Sequence, residues 1–545
     1  MSTRGPDQAS RLVALAQDLQ LWHTPDGIGF ATFRVNGHDE HWSLRSRTFK
    51  SFLQRAFYRA EGMSASSEPL NSALGVLEGM ALHEGREHVT QARLAGASDA
   101  HPGLSYLDLA NEAWEAVEID PSGWRVVPSE VCPVRFLRCK GMRPMPEPER
   151  GGSLEELRPF LNVEDDDDFV LVIGWLVGAL RAAGPYPILN LHGEQGSGKT
   201  EQARLLRALI DPNAAPVRAE PKDGRDLMVA ARNGWVIALD NLSHLSPWLS
   251  DALCRLSTGG GFSTRSLYTD DQEMIFDAQR PMILTGINEI ATRGDLLDRS
   301  IGLTLPRIPD NRRRPESDLW GDFEAVRPRI LGALLDAVAA GMRNERHVRL
   351  DRHPRMADFA RWVAAAEEEL PWQEGTFLRA YTSNRASANE TALEASPVAA
   401  EVLRLVANCE AWQGPAAELL RVLEKRADEK VVKGQTWPKN PRALSAALRR
   451  LAPNLRADGT SVEFFEDSRP KQIRLGRDSC DGCDASDGAG SAKAENAPEP
   501  SQIGLELSQP ASLGGTPVSR NLNEYGIGVA TPATVANSAA LEELF

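Results

Sequence analysis

Cysteine is scarce in this chain, six in 545 residues at irregular spacings, which excludes a disulfide framework as the source of stability. Long apolar runs are missing as well. The longest, Phe169 to Leu180, is about half of what a bilayer-spanning helix needs, so no membrane partner is expected. Met1 opens onto STRGPDQAS without the apolar region of a secretory signal, and the expected location is cytoplasmic. Nor is positive charge in excess: 61 Lys/Arg against 76 Asp/Glu give −15, so any nucleic-acid contact must be local. What is present is an apolar fraction of 42%, enough for real cores, and a length that suggests three or four domains.

The charge is unevenly placed. Residues 421–477 carry fourteen Lys/Arg against seven acids, a net +7, whereas residues 478–545 carry ten acids against two bases, a net −8. A basic module is thus followed by an acidic tail rich in Ala, Ser, Gly and Pro, which reads as disordered. Its tip, Leu541-Glu-Glu-Leu-Phe545, is a candidate docking segment for a partner.

Along the chain, Ser10 to Gln20 reads as a helix with Leu12, Leu15 and Leu19 on one face, and Gly29 to Leu44 alternates around an Asn36-Gly37 turn, a hairpin signal. Helical text resumes at Phe49 to Tyr58. The Pro/Gly-rich stretch 144–152 marks a first boundary, followed by Ser153 and Glu156 in capping-box spacing. Strands and helices then alternate to about residue 345, as in a nucleotide-binding α/β unit. The expected organisation is a 1–150 N-terminal α+β domain, a 151–345 α/β ATPase core, a 346–415 helical segment, a 416–477 basic module and a 478–545 tail. Two features are set aside: the acidic run Glu164 to Asp168 suits a helix N-terminus, and Cys480-Asp-Gly-Cys483 has no second pair to make a zinc site.

The strongest motif is Gly193-Glu194-Gln195-Gly196-Ser197-Gly198-Lys199-Thr200, a complete G-x-x-x-x-G-K-T between an apolar strand (187–192) and a helix (201–210). Such glycines let backbone N–H groups turn toward the phosphates of ATP, with Lys199 on the β and γ phosphates and Thr200 on Mg²⁺. Trp235 to Asp240 reads as a buried strand ending in an acid that also holds the metal. The next residue is Asn241, where many such enzymes carry a second acid to polarise water. Either Glu194 or Asp251 does that work, or hydrolysis is slow. A third strand, Pro281 to Asn288, ends in an amide able to orient water beside the γ phosphate. Arg299, eleven residues on, is placed to act as an arginine finger on a neighbouring subunit, with Arg293 as second choice and a surface salt bridge as the alternative for both.

In this order GEQGSGKT, VIALDN, ILTGIN and LLDRS resemble the AAA+ ATPases, and more particularly the superfamily 3 helicases and phage or plasmid primase-helicase ATPases. The resemblance covers roughly residues 155–345. It implies a P-loop fold, catalytic roles for Lys199, Asp240, Asn288 and Arg299, metal roles for Thr200 and Asp240, and a homo-hexameric ring around DNA. It also implies that a hairpin at residues 259–278 reaches into the channel to grip single-stranded DNA through Arg265, although the turn is acidic and a structural hairpin is the alternative. In the basic module, Trp437 to Leu451 reads as a turn into a helix with Leu444, Leu448 and Leu451 inward, which leaves Lys439, Arg442 and Arg449 free for phosphate. VEFFEDSRPKQIRL then reads as two strands around a charged turn. Helix plus wing resembles a winged helix that takes duplex DNA. The expected activity is an ATP-dependent helicase or replication-initiation ATPase of a mobile element, and the rival is a nucleotide-switched assembly protein that unwinds nothing.

Overall fold

A computed structural model describes residues 7–96, 103–260, 262–265, 273–276, 278–287, 293–408, 411–434 and 436–477, all within the first of two units, Met1–Asp478. It is a mixed α/β structure. The Asn36-Gly37 turn joins strands Gly29–Val35 and His38–Ser43 with Val35 opposite His38. Both turn residues have positive φ (48° and 89°), the condition for a two-residue turn matching strand twist. The first helix, Gln8–Ala14, is shorter than its leucine spacing predicts. The chain from Gln20 to His23 instead pairs with Gly29–Val35, which buries Trp22 completely. Helices Arg47–Glu61 and Ser67–His83 close this core through Leu53, Phe57, Leu74 and Leu77. A second antiparallel sheet runs Leu94–Ala95, Ser105–Asp108, Ala116–Asp120, Gly123–Val127.

The Pro/Gly-rich stretch 144–152 is packed down: Met145 N donates to Leu109 O and Glu149 N to Pro328 O. The capping box forms at Ser153 and Glu156. The acidic run then opens helix α1 (Asp166–Ala179), with Asp165 as its cap. From Phe169 to Ala179 every residue of α1 is buried, as a helix apolar on all sides must be. Close approach is made possible by Gly174 and Gly178, where a Cβ would stand 2.6 Å from Phe377 and 2.4 Å from Phe359.

The central sheet has four parallel strands: β1 (Ile188–His192), β2 (Ile237–Leu242), β3 (Met282–Gly286) and β4 (Ser300–Thr304), in the order β2-β3-β1-β4. Their continuous apolar text fits a sheet covered on both faces. Helix α2 (Lys199–Ile210) follows β1, and the long helix α3 (Glu316–Asn344) follows β4. The expected hairpin exists as strands Phe262–Arg265 and Glu273–Phe276, with Arg265 opposite Glu273.

Helix α4 (Pro397–Asn408) and strand β5 (Ala411–Pro415) precede the basic module of residues 416–477. The module is built as α5 (Ala416–Arg426), a short helix Glu429–Lys433, α6 (Pro441–Ala457) and the pair β6 (Thr460–Phe465) and β7 (Gln472–Arg477), with β5 joining the sheet of that pair. Its sheet order is β5-β7-β6. Leu444 and Leu448 of α6 are fully buried against Val462, Ile473 and Leu475, as the helical spacing requires, whereas Leu451 is only partly buried and Leu455 completes the inward face. Among the described residues no helix is long and apolar enough to cross a membrane.

One buried carboxylate ties the N-terminal region to the central α/β core. Asp211, just past α2, accepts Arg93 Nε at 3.2 Å on Oδ1; its Oδ2 takes Trp235 N and Val236 N at 3.0 Å and Arg207 Nη2 at 3.4 Å. Burial pushes the Arg207 guanidinium below its ordinary value, and the Asp211 charge opposes that shift. Removing the carboxylate strands two buried cations. Asp211→Ala is therefore expected to cost about 3–5 kcal/mol, read as a lowered urea midpoint with an unchanged slope. A loss under about 1 kcal/mol would show that the arginines are held by their carbonyl partners alone.

Candidate functional site

β1 ends at His192 and the chain turns through Gly193, Gly196 and Gly198, with φ of 149°, 86° and 78°. A side chain is excluded at Gly193, where a Cβ would lie 2.4 Å from Leu305 O, the residue that follows β4. Asn162 braces the loop from outside, its Nδ2 donating to Ser197 O at 2.9 Å and Pro306 O at 2.6 Å. Gly198 caps α2, so the free N–H groups of the first helical turn open onto the loop. Lys199 bends back over it, and its ammonium donates to Gly193 O (2.8 Å), Glu194 O (2.7 Å) and Ser197 Oγ (3.1 Å). Burial lowers the pKa of this amine, with the negative charge of Asp240 acting in the opposite sense.

Thr200 and Asp240, forty residues apart, meet here. Thr200 Oγ1 donates to Asp240 Oδ1 at 2.9 Å. A hydroxyl and a carboxylate form an oxygen donor pair suited to a hard cation such as Mg²⁺. Elsewhere, among the described residues, no group of three or more His, Cys, Asp or Glu is placed to hold a metal ion. Sequence reasoning missed Thr285, at the end of β3. Its hydroxyl donates to the same Asp240 oxygen and accepts the Asn241 N–H at 2.9 Å. To make that bond Asn241 takes φ 56°, and the β2–β3 register breaks between Leu239 and Leu242. The only signal was a small polar residue near the end of an otherwise apolar strand.

A cavity of about 400 Å³ adjoins the loop, lined by Leu161, Asn162, Gly196, Ile308, Arg313 and Leu319 among others. Gly196 belongs to the glycine motif; the others come from segments before and after the sheet, and no motif marked them. A larger cavity, about 940 Å³, lies further along α2 beside Arg143 and Trp320 and includes no loop residue. His192, where β1 meets the loop, has its Nε2 2.8 Å from Thr304 Oγ1. Burial first, and then the Lys199 charge, lowers its pKa.

Arg299 stands at the opposite end of the sheet. It precedes β4, whose Ser300 pairs with Ile188 while Thr304 pairs with His192. At ~3.3 Å per residue, about 16 Å separates it from the loop. Its Nη1 donates to Asp295 O at 2.6 Å, while Nε is buried without a partner. Arg293 is engaged with Asp251 at 2.9 Å and Asp295 at 3.4 Å, so Asp251, named as a possible base, is already an ion-pair partner. Glu194 and Gln195 are exposed on the loop. Asn288 lies outside the described residues, as do Cys480, Cys483, the side chain of Arg265 and the whole tail.

Of the candidate phosphate contacts in the basic module, Lys439 Nζ donates to Val432 O at 3.1 Å and Gly434 O at 2.8 Å. Arg442 and Arg449 are both exposed on α6, and Arg449 is paired with Glu466.

Residues 154–392 match the family model of the actinomycete integrative conjugative element replication protein, and residues 398–486 match the model of the AICE RepA C-terminal domain. Solved structures of the NrS-1 C-terminal region are similar at 10% identity over 87% of this chain and 99% of theirs, with a TM-score of 0.37. A JCV helicase structure is similar at 12% identity over 44% of this chain and 64% of its own, with a TM-score of 0.24. None of the curated proteins matches the chain. The motifs point to a mobile element of phage or plasmid kind; the matched family is that of an integrative conjugative element instead.

Thr285→Val, which keeps the shape and removes the hydroxyl, leaves the Asn241 N–H without its acceptor. A loss of about 1–3 kcal/mol is expected, measured by thermal unfolding, whereas Thr285→Ser should retain most of the stability.

Proposed function

We propose that this chain is an ATP-driven replication protein of an integrative conjugative element, and that it initiates replication by remodelling or unwinding DNA. The observation that carries the reading is the convergence of Lys199, Thr200 and Asp240 on one glycine-walled loop. Each of the three answers a different need of a nucleoside triphosphate with its metal. The loop and the first turn of α2 supply N–H donors to phosphate oxygens. Lys199, now held by two carbonyls and a hydroxyl, has its charge available once phosphate replaces them. Thr200 and Asp240 hold Mg²⁺, whose charge offsets that of the phosphates. The neighbouring 400 Å³ cavity is of a size to receive the base. The family match over residues 154–392 supports the replication role.

Arg299 fits a finger supplied to a neighbouring subunit, since its backbone lies about 16 Å of strand from its own loop and its Nη1 is engaged with Asp295 O. A ring of identical subunits, a homo-hexamer on the strength of the resemblance, brings such an arginine to the next loop. Asn288 keeps its proposed role of orienting water, and the hairpin bearing Arg265 its proposed contact with single-stranded DNA. The order α4, β5, α5, α6, β6, β7 supports a winged helix that meets duplex DNA through α6. A second reading, a nucleotide-switched assembly protein without unwinding, is favoured by Asn241 at the second-acid position and by the engagement of Asp251 with Arg293. Strand displacement by the full chain with and without ATP separates the two.

Lys199→Ala is expected to abolish ATP hydrolysis, and normal turnover would overturn the site assignment. Arg299→Ala should still bind ATP yet hydrolyse it about 10³-fold more slowly. Mixing the two inactive variants should restore part of the activity, because an interface pairing an intact Lys199 with an intact Arg299 reappears. Co-assembled mixtures with no recovery would exclude a finger supplied in trans.

A further inference from the structure

The face of α6 that turns away from its leucines carries Arg442, Ser445 and Arg449, three residues at i, i+3 and i+7 and so in one row. They line one wall of a groove of about 560 Å³, whose other wall is the β6–β7 pair with Phe464, Lys471 and Gln472. The groove offers hydrogen-bond donors and a flat ring, and it contains a single acid, Glu466.

That acid sits between the cations. Its carboxylate takes Arg449 through one oxygen and Lys471 through the other, and the two hydrogen bonds, with Lys471 the stronger cause, hold its pKa below the ordinary glutamate value. Arg449 is fixed in place by its guanidinium lying over the Phe464 ring, 4.3 Å from the centroid. A backbone phosphate presents the same feature as this carboxylate, two anionic oxygens for a guanidinium and an ammonium. All three charged side chains are about half exposed or more, and ion pairs so exposed are weak. A denser anion can therefore displace the carboxylate.

We infer that Glu466 occupies the position of a backbone phosphate of duplex DNA in the groove between α6 and the β6–β7 hairpin, and acts as a built-in competitor that sets the affinity of this face. This rests on the reading of the basic module as DNA-binding. It goes beyond that reading by naming the track of the strand and the residue that limits its hold. DNA entering the groove exchanges one acceptor for another on Arg449 and Lys471, and the freed Glu466 swings to solvent.

The test is duplex binding by the full chain as a function of salt, for the unaltered protein, E466Q and D467N. The first substitution keeps the size of the side chain and removes its charge; Asp467 is the next acid along and does not line the groove. E466Q is expected to bind about tenfold more tightly at low salt, with the log–log salt slope steeper by about one to two units, one for each cation released to a phosphate. D467N, which removes the same charge from the same turn, should give a smaller gain and an unchanged slope. Adding Arg449→Ala to E466Q should remove most of the gain. Equal gains for E466Q and D467N, or an unchanged slope in E466Q, would overturn the competitor role while leaving the DNA-binding reading intact. Failure of both the unaltered protein and E466Q to bind duplex at low salt would overturn the DNA-binding reading itself, and the competitor role with it.

Discussion

The geometry of the loop depends on a carboxylate at the other end of the helix that follows it. Asp211 accepts four donors, from Arg93, Arg207, Trp235 and Val236, and so locks the exit of α2 to the entrance of β2. α2 begins with Lys199 and Thr200, and β2 ends near Asp240. With one pair of ends tied by Asp211, the Thr200–Asp240 hydrogen bond closes the other pair. Arg93 extends the same tie to the N-terminal sheets, with further bonds to Asp108 O, Arg143 O and Pro212 O. The N-terminal region is bolted to the core through buried charge rather than hung on a linker.

A parallel sheet has two chemically different ends. At the carboxyl ends of the strands lie the loop, Asp240 and Thr285; at the amino end of β4 lies Arg299. About 16 Å of strand separates the two ends. Thr285 adds a local rule. By donating to Asp240 and accepting from Asn241 it places a carboxylate and an amide in fixed order at the end of β2, with a left-handed backbone at Asn241 as the consequence. It is the backbone N–H of Asn241 that is held at the strand end; its side chain is exposed.

The basic module is organised differently. Its core is apolar and closed, with Leu444, Leu448, Leu455 and Leu475 fully buried, while its positive charge is spread over the surface and partly answered by local acids and carbonyls. Lys439 caps backbone oxygens, and Arg449 and Lys471 share Glu466. Counting arginines and lysines in the sequence therefore overstates the charge free to meet phosphate.

How much was legible follows from how local each constraint is. The glycine loop, the strand carrying Asp240 (which begins two residues later than expected and runs on to Leu242), the Asn36-Gly37 hairpin, most of the inward face of α6 and the capping box at Ser153 are dictated by residues within one turn or one strand of each other, and the chain spells them out. The shortening of the first helix was not visible, because burying Trp22 in a sheet outweighs the helical spacing of nearby leucines. Thr285, Asn162 and Asp211 could not be singled out either: each is one ordinary polar residue held mainly by partners far from it along the chain. The same holds for Glu466, which reads as one acid in a charged turn until folding sets it between a helix and a strand. Sequence by itself determined the glycine pattern of the loop and the periodicity of its flanking elements, since these depend on backbone freedom and side-chain alternation. Only the tertiary structure decided that Thr200 meets Asp240, which cations are already answered, and that Arg299 stands at the opposite end of the sheet from the loop, because those are properties of distance and not of order.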